Sequence, residues 1–261
     1  MVSLQSYLAR ARDALDELRW LAVVPFTVAL LSAEKFTRLG GTDFHVGISF
    51  SLPFPVTGGW AFLNLPQASA TSVGTAGIET SVSQFGLASL GFVFLSMVAT
   101  AALTAGYLGT IRRALTDDQP RFIEDIRRYI APMLGFQLLI LLAVLVTLLF
   151  SIISPLFLLI FAVGFLAGGY FFYPALFIVV ADDCDLLVAL ARSYELTSAG
   201  GPAFSYAVRY LLATAAISIV ATVVFVNLGV IGVLVGLAVL APVGLVFDTA
   251  TMAFVYDVLD L

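Results

Sequence analysis

The chain has 261 residues, 61% hydrophobic and only 11% charged, with a mean hydropathy of +1.07. A soluble domain carries about 25% charged residues, so this composition excludes an ordinary soluble fold. Net charge is −5 and no basic stripe occurs, which argues against nucleic acid as a partner.

The predicted elements run as follows. Residues 4–19 read as an amphipathic helix. Leu4, Leu8, Ala11, Leu15 and Leu18 share one face, with Arg10, Asp13, Asp16 and Glu17 elsewhere. Such a helix is expected to lie along the membrane interface and anchor the first span. Charged residues persist to Arg19 and no A-x-A-like site follows, so the N-terminus does not read as a secretory signal. Residues 20–36 form a first, short membrane segment, sufficient if Glu34 and Lys35 snorkel into the headgroups.

A loop at 39–84 comes next. Phe44, Val46, Ile48, Phe50, Leu52, Phe54 and Val56 alternate with polar residues, Gly and Pro, a period of two that predicts a strand over 44–56. Thr57-Gly58-Gly59 supplies a turn, and 60–65 reads as a returning strand. The expectation is a small β-hairpin whose apolar face covers helix ends, touches lipid or meets a partner. Pro53 and Pro55 make it an edge, and 67–81 reads as a weak helix.

Four further segments over 85–111, 130–153, 155–181 and 206–226, and a fifth over 228–256, each reach the roughly 20 apolar residues that a bilayer core requires. The fold class is therefore an all-α, multi-pass membrane protein of six transmembrane helices in one integral domain. Of the twelve Lys and Arg, ten fall on one side when the segments alternate. Arg10, Arg12, Arg19, Arg112, Arg113, Arg121, Arg127, Arg128, Arg192 and Arg209 lie together; Lys35 and Arg38 lie opposite. By the positive-inside rule both termini are cytoplasmic, in a cell membrane. Pro132 and Pro155 sit near helix starts, Pro25, Pro174 and Pro242 lie inside runs and are expected to kink or thin their helices, and Asn227 turns the fifth segment into the sixth.

The two inner connections share a pattern. TDDQPRFIEDIRRY over 116–129 and ADDCDLLVALARSY over 181–194 coincide without gaps at Asp117/Asp182, Asp118/Asp183, Arg127/Arg192 and Tyr129/Tyr194. Each reads as an interfacial elbow helix (117–129 and 182–200), capped by its Asp pair and complemented by Arg in its last turn. These eight residues are the candidate inner contacts, and a cytoplasmic partner received there is the functional alternative to a purely structural elbow.

Chemistry is otherwise sparse. Asp248 is the one candidate intramembrane polar site, toward the cytoplasmic end of the last segment, where a structural role is expected. Gln137, Thr147, Thr214, Thr222 and Asn227 are too mild and scattered to define a pathway. No HExxH, CxxC or phosphate-loop pattern occurs, so catalytic, cofactor-binding and metal residues are all expected to be none. His45 has no second ligand near it. Cys184 is the only cysteine, and the carboxylates around it should raise its pKa. Gly164/Gly168, Gly232/Gly236, Ala102/Gly106 and Ala105/Gly109 are spaced for close helix packing, within the monomer or between copies.

Two stretches carry a resemblance. GYLGTIRRALTDDQPRFIEDIRRYIAPMLGF (Gly106–Phe136) resembles an archaeal family of uncharacterised multi-helix membrane proteins. LLVALARSYELTSAGG (Leu186–Gly201) resembles a segment of the six-helix membrane domain found beside some glycerophosphodiester phosphodiesterases. The resemblance implies a membrane domain with no assigned activity, and no catalytic residue carries over. One lysine against eleven arginines and seventeen carboxylates suits a salt-rich, haloarchaeal cytoplasm. The expected function is a non-enzymatic scaffold or accessory subunit, with a permease or channel subunit for an apolar or lipid-like solute as the alternative. The partners in view are the lipid bilayer, a membrane or cytoplasmic protein, and a second copy of the chain.

Overall fold

The computed structural model describes residues 4–31, 35–36, 44–66, 87–116, 118–154 and 156–260. Ten α-helices are described: α1 (Leu4–Asp13), α2 (Leu15–Leu18), α3 (Val23–Leu31), α4 (Leu87–Leu115), α5 (Phe122–Ile153), α6 (Leu156–Phe172), α7 (Ala175–Ala181), α8 (Leu186–Ser198), α9 (Pro202–Phe225) and α10 (Gly229–Leu259). Among the described residues the fold is all-α. Four apolar helical stretches are long enough to cross a membrane: 94–115, 122–153, 156–181 and the α9–α10 region 202–259. Within the last, the 3-10 turn Val226–Leu228 and Gly229, at φ 68°, reverse the chain, so that α9 and α10 pack side by side.

The central element is α10. Every residue from Phe247 to Val255 is buried, because α1, α3, α4, α7 and α9 all pack against this helix. A helix apolar around its whole circumference belongs in such a position. Its small residues admit close neighbours. Gly236 faces the Phe225 ring, where an added Cβ would lie 2.8 Å from ring carbon Cγ, and Gly232 meets the same turn. That GxxxG pair therefore serves packing within the chain. In α4, a Cβ on Gly106 would lie 2.7 Å from the Phe122 ring of α5. Gly164 and Gly168 of α6 have nothing within 4 Å.

The first inner elbow is not a separate helix. Residues 122–129 continue through Pro132 into α5, so Pro132 lies well inside the helix rather than near its start. The buried stripe Asp125, Tyr129, Met133 and Phe136 crosses the proline without changing register and packs on α4. This packing outweighs the single backbone bond that Pro132 removes. The second elbow is a separate helix, α8. Pro174 divides α6 from α7 as expected. All seven residues of α7 are buried, whereas α6 has no buried residue. Pro155 and residues 67–81 lie outside the described residues.

The β-hairpin expected over 44–65 does not form: neither 44–56 nor 60–65 is a strand. The backbone of residues 45–51 faces α9 and the turn after it, while the His45 and Ser49 side chains meet Asn64. His45 N–H donates to Asn227 Oδ1 at 2.7 Å and its carbonyl accepts from Asn227 Nδ2 at 3.0 Å. Ser49 N–H donates to Ser218 Oγ at 2.8 Å, and Asn64 N–H to Thr222 Oγ1 at 2.9 Å. From Asn227 to Tyr210 the segment follows roughly 25 Å of helix. Helix side chains thus replace the partner strand, and Pro53 and Pro55 remove two donors that would have needed acceptors. Phe44, Val46, Ile48, Phe50 and Phe54 point outward. The segment runs along α9 rather than over the helix ends, and its buried residues, Val56, Thr57, Phe62 and Leu63 among them, lie toward its end.

Its innermost part is tight. A Cβ on Gly244 of α10 would overlap the Thr57 carbonyl oxygen. A Gly244→Ala change should therefore push the segment away and lower stability by about 1–3 kcal/mol, seen as a lower unfolding midpoint in detergent. An unchanged midpoint contradicts this packing.

Candidate functional site

Asp248 is completely buried, and the descending segment ends on it. Thr57 donates its backbone N–H to Oδ2 at 2.8 Å and its hydroxyl to Oδ1 at 2.6 Å. Tyr107 of α4 donates its hydroxyl to Oδ2 at 2.8 Å. Because the Thr57 hydroxyl is used as a donor to the carboxylate, Tyr210 of α9 donates to Thr57 Oγ1, at 3.0 Å. One carboxylate thus ties together α4, α9, α10 and the 44–66 segment. Val56, immediately before Thr57, has φ 57°, a conformation disfavoured for a β-branched residue and held only where surroundings demand it. Among the described residues no buried side-chain polar atom lacks a partner. Both carboxylate oxygens are therefore engaged, and the arrangement works as a fixed acceptor rather than an open reactive group.

The arginine-rich end holds a second polar cluster. Arg113 of α4 makes a forked contact with Asp125 of α5, Nε at 3.0 and 3.1 Å and Nη2 at 3.0 Å, and Asp125 is only 2% exposed. Asp183 pairs with Arg128 and accepts from the Tyr129 hydroxyl at 3.0 Å. Arg112 donates to the same Tyr129 hydroxyl. Asp182 pairs with Arg192.

The repeated inner pattern is thus partly joined in space: Tyr129 from one copy meets Asp183 from the other. The expected capping is absent, since neither α5 nor α8 has a side-chain cap bond. Asp182 and Asp183 bind arginines instead, because a charged guanidinium is a stronger donor to a carboxylate than a backbone amide. Arg127 and Asp118 are exposed and outside these contacts. Tyr194 is half exposed, its ring against Phe171, whereas its counterpart Tyr129 is buried. Asp117 lies outside the described residues. His45 contacts Asn64 Oδ1 at 3.0 Å, and no group of three metal-ligating side chains occurs among the described residues.

Burial opposes ionisation of Asp183, but hydrogen bonds from Arg128 and Tyr129 and the arginine charges outweigh it, holding its carboxyl below the usual range. Burial, then the Asp182 charge, pushes the Cys184 thiol up.

Sequence reasoning missed Thr57, Tyr107, Tyr210, Arg113 and Asp125. A signal for part of this existed: Tyr210, Thr214, Ser218 and Thr222 recur every fourth residue and form one polar face of α9. Comparison with protein-family models, curated proteins and solved structures finds no match for this chain.

Two outcomes are expected. Asp248→Asn turns an amide N–H₂ toward donors and should destabilise the protein by about 1–3 kcal/mol, with faster hydrogen exchange at residues 48–62. Unchanged exchange there would remove the tie. The Asp183 contribution has its own pH signature. With a folded pKa below the unfolded 3.8, its stabilisation is complete above that value and lost as pH falls through the folded pKa. The difference in unfolding midpoint between wild type and Asp183→Asn should therefore be constant from about pH 5 upward and shrink in stronger acid. A difference that grows in acid contradicts the pairing.

Proposed function

We propose that this chain is a non-enzymatic, multi-pass membrane protein that serves as a scaffold or accessory subunit. It has six spans, with both termini on the cytoplasmic side of the cell membrane. The observation that carries this reading is the use made of Asp248. The buried carboxylate has both oxygens committed to Thr57 and Tyr107 of its own chain, which suits a tie holding a rigid framework. The topology rests on the ten-to-two division of basic residues. Contacts between distant parts of the chain, such as Arg128 with Asp183 and Arg10 with Asp257 at 3.6 Å, agree with gathering these residues at one end. The exposed Arg121, Arg127 and Ile123 on that end are the surface offered to a cytoplasmic partner. The resemblance at Gly106–Phe136 and Leu186–Gly201 supports the same layout and a haloarchaeal source.

A second reading, a permease or channel subunit for an apolar or lipid-like solute, is favoured by one feature. A groove of about 270 Å³ opens between α5 and α6, lined by Phe136, Ile140, Phe161, Phe165 and Gly168, with Phe54 of the inserted segment at its side.

Purification in mild detergents tests the first reading. A protein partner should co-purify with wild type and be lost with Arg127→Glu. Recovery of the chain alone in every detergent overturns it. In reconstituted liposomes, a change in lipid flux on Asp248→Asn would instead favour the second reading and sink the structural role of Asp248. The topology is checked in a Cys184→Ser background. Ser154→Cys should react only with reagent outside the cell and Asp260→Cys only after permeabilisation.

A further inference from the structure

A recess at the arginine-rich end lies between α1 and the adjoining ends of α9 and α10, with a volume of about 270 Å³. Its floor is the stacked pair Tyr206–Phe254, ring centroids 4.2 Å apart, and Leu4 adds an apolar wall. Tyr7, Ser205, Arg209 and Asp257 supply its polar groups.

Three features set this recess apart. The first is the state of Arg209. It is exposed and has no ion-pair partner among the described residues, unlike Arg113, Arg128 and Arg192 nearby. Its neighbours on the outer surface of α9 are Phe204, Val208 and Leu212, all exposed. A cation surrounded by outward-facing apolar residues in a membrane helix calls for an anionic partner, because an unpaired charge there is unfavourable. The second is Ser205 in the first turn of α9, one helical turn before Arg209. Its N–H is bonded to the Gly201 carbonyl at 3.0 Å, and its hydroxyl lies on the recess, where it can donate to an anion. The third is the local charge. Asp257 is paired with Arg10 at 3.6 Å, so the positive charge of Arg209 is left without a carboxylate of its own in the recess. The monoanionic phosphodiester of a phospholipid balances that charge, while the apolar wall and the exposed α9 face receive glycerol and acyl carbons.

We propose that this recess binds the phosphate of a phospholipid, with the Arg209 guanidinium as its principal ligand and the Ser205 hydroxyl completing the site. The planar fork of Arg209 suits two phosphate oxygens at once. The site is independent of whether the protein acts as a scaffold, since it requires no protein partner.

The test is native mass spectrometry of the full chain in detergent, titrated with dioleoylphosphatidylglycerol. Dioleoylglycerol, which has the same chains and no phosphate, is the control. Wild type should retain one phosphatidylglycerol and bind dioleoylglycerol at least about tenfold more weakly. Arg209→Ala should weaken phosphatidylglycerol binding at least about tenfold, with Arg209→Lys between the two. Ser205→Ala should weaken it by a smaller factor, and it reports on the site should Arg209→Ala fail to fold. Arg127→Ala removes the same charge elsewhere on that end and should leave binding unchanged. Competition by inorganic phosphate or glycerol 3-phosphate would make a soluble phosphate compound the ligand, and its absence assigns the site to lipid; both outcomes support phosphate recognition. Equal binding of dioleoylglycerol, equal losses in Arg127→Ala and Arg209→Lys, or no loss in any variant at Arg209 and Ser205 would overturn the site.

Discussion

The fold depends on satisfying backbone polar groups where water is scarce, and Asp248 is the point at which that constraint is met. An irregular segment such as 44–66 is tolerated among membrane helices only where protein groups replace the solvent it has lost. Along most of its length the substitutes are the amide of Asn227, in the turn after α9, and the α9 hydroxyls of Thr222, Ser218 and Thr214. At its end, where the chain must reverse around Val56 and Thr57, neutral acceptors would be too few. The carboxylate accepts three hydrogen bonds there, two of them from Thr57. The close approach of Thr57 to Gly244 follows from the same requirement.

Much of this was legible in the sequence. Long uncharged runs and the grouping of arginines need only composition and spacing, and α5, α6, α9 and α10 follow from them. The break at Pro174 and the reversal near Asn227 follow from local chain chemistry. The inserted segment was not legible, because alternation at period two reports only that two faces differ. It says nothing about which face meets protein. In water the apolar face turns inward; here Phe44, Val46, Ile48 and Phe50 turn outward and the backbone meets α9.

The candidate site was legible only by halves. Asp248 stood out as a carboxylate in an apolar run. Its partners Thr57, Tyr107 and Tyr210 lie far away in sequence, and their residue types are ordinary in membrane helices. The same holds at the arginine-rich end. Repetition of the Asp-Asp…Arg-x-Tyr pattern suggested two separate elbows, each with internal capping. The structure instead crosses them, placing Tyr129 beside Asp183 and joining Arg128 to it. Arg113 and the buried Asp125 form a part-buried pair that no local pattern announced, across α4 and α5.

The contrast between α6 and α7 has a consequence for the surface of the bundle. On either side of Pro174, all seven residues of α7 are buried in the core while no residue of the preceding helix is more than partly buried. Packing sets the direction of α7 on every side, whereas α6 is held on one side only, by ring contacts to Phe150 of α5 and by the hydrogen bonds of Tyr170 and Phe171 to α8. The outer face of α6 is therefore a broad apolar surface that this bundle turns to lipid, while the side of α10 around Phe247 to Val255 is closed by the chain's own helices.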